Sequence, residues 1–180
     1  MVEADLTSNY FELFGVAVGF EVDLKDLAER YRKLQNTVHP DRFASASDLE
    51  RRLSAQQSAR INEAYQTLKS PLRRASYLLE LQGVDMSADS DTAMAPEFLM
   101  QQMQLRESLE EVASSADPHG DLLRISGDID GIIEAIVAEL RQAFASGGID
   151  NTALARDGVR RLQFMMRLRE EAEALEEQLI

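Results

Sequence analysis

The sequence predicts an all-α protein of two parts: an amino-terminal helical hairpin with short flanking helices, joined to a carboxy-terminal three-helix bundle. Three observations predict it. The 180 residues include only 9 Gly and 4 Pro, and long stretches are rich in Leu, Ala, Glu, Arg and Gln, residues that lose little on entering a helix. Apolar residues recur at i, i+3, i+4 and i+7 rather than alternating. The prolines, at 40, 71, 96 and 118, stand at the edges of periodic runs.

The elements follow in order. Tyr10 to Val16 is a short apolar segment that needs packing to be stable. Asp23 offers an N-cap to a longer helix, whose apolar positions Leu24, Leu27, Ala28, Tyr31, Leu34 and Val38 form one stripe. At about 100° per residue, Arg32 and Lys33 fall on the solvent side. His39-Pro40 stops this helix, because proline disfavours helical geometry in the residue before it. A loop over 40–47 leads into a second long helix, about 48–69, with Leu49, Leu53, Ile61, Tyr65 and Leu68 as its buried candidates. Ser70-Pro71 ends that helix, and Leu72 to Leu81 reads as another, closed by Gly83.

Val84 to Ala95 is polar, small and weakly patterned, as a linker would be. Pro96 opens a helix reaching about Ser114, and Asp117-Pro118-His119-Gly120 reads as a turn. Helices over about 122–145 and 151–179 follow, parted by Ser146-Gly147-Gly148. Short connections make these three an antiparallel bundle. The core stripe expected in the last helix is Leu154, Met165, Leu168, Leu175 and Leu179. The expected division is residues 9–81, a linker over 82–95, and a bundle over 96–180.

Charge excludes some functions. The formal net charge is -13, the wrong sign for a protein that works mainly on nucleic acid. Residues 1–84 are nearly neutral, with 11 Lys and Arg against 12 Asp and Glu; residues 85–180 carry 8 against 20. That asymmetry fits two parts with different partners, or simply an acidic solvated surface. Without cysteine the chain can form no disulfide, thiolate metal site or cysteine nucleophile. Met1 to Thr7 shows no secretory start, and no apolar run approaches the roughly 20 residues of a membrane span. The expected location is the cytoplasm, with no cofactor and no metal.

The tripeptide His39-Pro40-Asp41 lies in the loop between the two long amphipathic helices. Alone it would occur by chance in about one chain in a hundred of this length, and a helix-breaking turn would explain it. A metal site needs more ligands than His39 and Asp41, and His119 lies in a distant turn. A His–Asp hydrolase would need a nucleophile and an oxyanion site, which the sequence does not mark. The flanks are more telling: Asn9-Tyr10-Phe11-Glu12-Leu13-Phe14-Gly15 and Tyr31-Arg32-Lys33-Leu34 upstream, Ile61-Asn62-Glu63-Ala64-Tyr65 with Leu68 and Pro71 downstream. Together they resemble the J-domain from end to end.

That resemblance implies a co-chaperone that docks on an ATP-bound DnaK-class chaperone and accelerates its ATP hydrolysis. It makes His39, Pro40 and Asp41 the triggering residues, and Arg32 and Lys33 the electrostatic contact. Thr37 and Val38 stand where many J-domains have a further Lys and a Tyr, which implies a narrower choice of chaperone.

The second part narrows the family. No Gly/Phe-rich stretch or Cys-x-x-Cys repeat follows the hairpin. Within the Pro96 helix, Phe98, Leu105, Leu109 and Val112 share one face. Met100, Gln104, Glu107 and Glu111 lie opposite, flanked by Leu99 and Met103. This second set either packs beneath another segment or presents adaptable apolar side chains, edged by carboxylates, to a partner. Arg74-Ala75-x-Tyr77-Leu78-Leu79, Phe98-Leu99-Met100-x-Gln102-Met103-x-Leu105-Arg106-Glu107 and Val159-Arg160-x-Leu162-x-Phe164-x-x-x-Leu168 resemble the HscB-type J-proteins of iron–sulfur cluster biogenesis.

The resemblance implies an HscA-type chaperone and the scaffold protein IscU as partners of a monomeric adaptor. Leu99, Met100, Met103, Gln104, Glu107 and Glu111, with Phe164 from the last helix, become its scaffold-binding residues. The family often has Glu where Gln104 stands and Leu where Met103 stands. A J-protein with another client is the rival within the chaperone class.

Overall fold

In a computed structural model, residues 8–38, 47–86 and 94–179 are described, and these form seven α-helices. The chain divides into two compact units, Met1–Leu78 and Leu79–Ile180. No helix among the described residues is long and apolar enough to cross a membrane.

In the first unit, α1 (Tyr10–Phe14) is short but capped at both ends. Asn9 Oδ1 accepts from the Glu12 amide at 3.0 Å, and Glu12 reaches back to the Asn9 amide at 2.9 Å, a reciprocal capping box. The chain leaves α1 through Gly15 at φ 63°, a left-handed conformation that favours glycine. The Arg30 guanidinium donates to the Phe14 and Gly15 carbonyls, each at 3.0 Å, satisfying acceptors that α1 cannot pair itself. Tyr77 stacks on Tyr10 at 4.4 Å between centroids, and its hydroxyl accepts the Tyr10 amide at 3.0 Å.

The hairpin is α2 (Leu24–Val38) against α3 (Asp48–Lys69). Asp23 caps α2 as expected, accepting the Lys25 amide at 2.9 Å and that of Asp26 at 3.2 Å. Ser47 caps α3 in a second capping box with Glu50. The Ser47 hydroxyl and backbone hydrogen bonds hold the Glu50 carboxyl below its ordinary pKa. At the other end, Arg74 of α4 (Pro71–Leu81) donates to the Leu68 carbonyl at 2.5 Å while its guanidinium lies 5.0 Å from the Phe20 ring centre.

Three expectations for the hairpin fail. Leu24, Leu49 and Leu53 are exposed, the last two at 67 % and 45 %. Ile61 and Leu68 are buried as expected, and Ser54, Ala64 and Thr67 complete the inner face of α3; 54, 61 and 68 repeat at the coiled-coil interval of seven. Ser54, small enough to lie between close helices, takes the inward position beside Leu53.

The second unit packs α5 (Pro96–Val112), α6 (Pro118–Ser146) and α7 (Ile149–Leu179) around one core. Asp117-Pro118-His119-Gly120 is not a separate turn: Asp117 is the N-cap of α6, accepting the Gly120 amide at 3.1 Å, with Pro118 in the first helical position. Leu154 is exposed, contrary to its expected place in the core. The buried stripe of α7 is Ala155, Val159, Leu162, Met165, Leu168 and Ala172, with Gly158 beside it. Small residues bring α7 close to α6, and an apolar pattern weighted toward leucine passes over them.

Candidate functional site

The tripeptide His39-Pro40-Asp41 lies outside the described residues, and the structure bears on what leads into and out of it. Val38, the last residue of α2, is buried. Arg32 and Lys33 both face solvent, and among the described residues Arg32 Nε bonds back to the Ala28 carbonyl of its own helix at 3.2 Å. Three other basic side chains of this unit are committed internally. Arg30 bonds the α1 terminus and Asp26, Arg74 the α3 terminus, and Arg60 the Ser8 carbonyl. Sequence reasoning saw all of these as basic residues; the structure sorts them into caps and free surface.

The second candidate surface lies on α5. Its buried side holds Phe98, Leu109 and Val112, with Leu105 half-buried. The opposite stripe is open: Met100 is 58 % exposed and Met103 68 %, and Leu99, Gln104, Glu107 and Glu111 are exposed as well. Two features locate the α7 edge beside this stripe. Met100 and Gln104 share a groove with Asp157 and Arg161, and Arg106 pairs with Glu171 at 3.0 Å. Phe164 lies one turn beyond Arg161 and two turns before Glu171, so it falls on that same edge of α7. It is half-buried, and the Arg167 guanidinium stands 5.8 Å from its ring centre.

Arg161 was not singled out by the sequence. It bonds Asp157 at 2.8 Å on its own helix and also reaches Glu139 of α6. Burial opposes its charge, yet the two carboxylates outweigh that penalty and the net shift of its pKa is upward. The i, i+4 spacing of Asp157 and Arg161 was a legible signal; the partner on α6 was not.

A short capped helix covering a two-helix hairpin with an exposed basic face defines the J-domain class, here followed by a separate helical unit. Comparison with known proteins agrees. A DnaJ domain family matches residues 9–77, and a family described as the HSCB C-terminal oligomerisation domain matches residues 94–173. A Vibrio cholerae co-chaperone protein HscB homolog is 45 % identical over 172 residues, covering 96 % of this chain and 99 % of the relative. The solved structure of chaperone HscB from Vibrio cholerae superposes with a TM-score of 0.85 at 43 % identity, covering 96 % of this chain and all of that one. Human co-chaperone HscB gives the same TM-score at 28 % identity, over 96 % of this chain and 84 % of its own. The chain belongs to the HscB family of J-domain co-chaperones.

Proposed function

We propose that this chain stimulates the ATPase of an HscA-type, DnaK-class chaperone through its J-domain and delivers an IscU-type iron–sulfur scaffold through its second unit. The domains of this reading are a J-domain over 9–81, a linker over 82–95 and a scaffold-binding bundle over 96–180. His39, Pro40 and Asp41 trigger hydrolysis, and Arg32 and Lys33 steer the docking. A co-chaperone acts only by favouring the hydrolysis-competent state of its partner over the resting one, so its contacts must differ between the two. The rigid proline between an imidazole and a carboxylate suits that task better than turnover of a small molecule.

The observation that carries the second half is the open stripe on α5. A helix that buries Phe98, Leu109 and Val112 on one side leaves two methionines and a leucine in solvent on the other, edged by Glu107 and Glu111. Unbranched thioethers adapt to an irregular partner surface. Leu99, Met100, Met103, Gln104, Glu107, Glu111 and Phe164 are the proposed scaffold contacts. Tethering the scaffold to the J-domain raises its effective concentration at the chaperone when hydrolysis is triggered. The reading is of a cytoplasmic monomer, as the resemblance to HscB-type J-proteins implies; the second unit matches a family described as an oligomerisation domain, and a dimer in sedimentation of the purified chain would overturn the monomer.

Titrating purified scaffold against the immobilised chain tests the delivery half. Binding that weakens by about tenfold or more in Met100→Ala with Phe164→Ala supports it. Wild-type chain that fails to bind the scaffold would leave a J-protein with another client.

A further inference from the structure

The proposed scaffold face draws on two helices, and packing does little to fix the spacing between them. Phe98, Leu109 and Val112 anchor α5 in the core, while every residue from 99 to 108 is exposed or half-buried. Leu99, Met100, Met103, Gln104 and Glu107 all fall in that span. Open grooves run along both of its sides. One, of about 630 Å³, lies between Gln101 and Ser108 of α5 and Gly127 and Gly131 of α6. The other, of about 650 Å³, lies between Met100 and Gln104 of α5 and Asp157 and Arg161 of α7. A Cβ added to Gly127 or Gly131 would meet nothing within 4 Å, so α6 gives this span no close support there. α5 packs on α6 and on α7 more sparsely than those two pack on each other.

One polar contact crosses the gap. Arg106 Nη2 donates to Glu171 Oε1 at 3.0 Å. Among the described residues, no other hydrogen bond or ion pair joins α5 to α6 or α7. Arg106 stands one turn past Met103, and Glu171 two turns past Phe164, so the bridge ties the helices beside those two side chains. Its partners are 53 % and 49 % exposed, and an ion pair in that setting adds little to the stability of a fold. Its effect falls instead on where the middle of α5 lies, which packing leaves loosely set.

We propose that Arg106 and Glu171 are positioning residues for the scaffold face: their bridge holds the middle of α5 at the spacing from α7 at which Met100 and Met103 meet the same partner as Phe164. The proposal rests on reading that face as scaffold-binding. Both charges act through the three apolar side chains rather than on the scaffold itself. A chain that presents the competent spacing only part of the time binds with an apparent affinity reduced by that fraction.

The test is a set of scaffold titrations with the full chain carrying Arg106→Met, Glu171→Gln, both together, or Arg106→Met in a Phe164→Ala background. Each single change is expected to weaken binding about two- to fivefold, the range open to an exposed ion pair. The two together should lose no more than either alone, because they remove the same bridge. The changes shift the net charge in opposite directions, so long-range attraction would move binding in opposite senses; losses of the same sign identify the bridge. In Phe164→Ala, where the contact to α7 is already gone, Arg106→Met should cause no further loss. Thermal unfolding and stimulation of the chaperone without scaffold should stay at wild-type values in both single variants, which a general loss of structure would not allow. Wild-type binding by Glu171→Gln would mean that Arg106 touches the scaffold directly, and would overturn the proposal. A full additional loss from Arg106→Met in Phe164→Ala would overturn it as well. Wild-type chain that does not bind the scaffold would instead remove the scaffold reading, and this proposal with it.

Discussion

Gly158 of α7 lies so close to Leu140 of α6 that a Cβ added to it would stand 2.9 Å from Leu140 Cδ2 and 3.2 Å from its Cγ. Leu140 is 1 % exposed, so its side chain has little room to swing away. Elsewhere in a helix, Gly→Ala would stabilise by about 0.5–1 kcal/mol through backbone entropy. Here overpacking, at about 1–3 kcal/mol, opposes that gain. Gly158→Ala should therefore lose about 1 kcal/mol and Gly158→Val more, measured by urea unfolding of the full chain. A stabilised Gly158→Ala would show that α6 and α7 do not need this approach.

The same pair shows what the sequence could and could not convey. Helix existence followed from periodicity and from four prolines at element edges, and each expected helix is present. Facing was harder. Leu49, Leu53 and Leu154 look like core and are exposed, while Ser54 and Gly158 look incidental and are buried. Hydrophobicity marks what could be buried, but close helix packing selects for small side chains, which leave a faint trace in a hydropathy pattern. The α5 face was legible because its two sides differ in charge as well as in apolarity. Arg161 was half legible: its partner four residues back is in the pattern, and Glu139 is placed by the fold.

The arginines of the first unit should separate by role. Arg30 serves the α1 terminus and Asp26, and Arg30→Met should cost about 1–2 kcal/mol of stability by leaving carbonyls unpaired. Arg32→Ala and Lys33→Ala, on the exposed face, should change stability by less than about 0.5 kcal/mol. They should instead raise the concentration needed for half-maximal chaperone stimulation, most strongly at low salt. Thermal unfolding and ATPase titrations on the same preparations check both halves. Loss of stability in Arg32→Ala would contradict the assignment.

Arg161 ties α7 to Glu139 of α6 with its side chain 19 % exposed, though the carboxylates it meets are more open to water. Arg161→Met keeps the stem and removes the charge. The loss should be about 1 kcal/mol at low ionic strength, because solvent screening limits each pair. The difference from wild type should shrink as salt is added. A loss indifferent to salt would mean that packing of the stem, not its charge, holds the two helices.

The central claim is that the two faces act separately and meet in one reaction. It is tested most directly by the steady-state ATPase rate of an HscA-type chaperone with IscU, measured with wild-type chain, His39→Gln, and Met100→Ala combined with Phe164→Ala. The account predicts a strong rise with wild type. His39→Gln should abolish it while still binding the scaffold, and the double variant should stimulate the chaperone alone but lose the added effect of the scaffold. Either variant losing both activities while still folded would contradict the account.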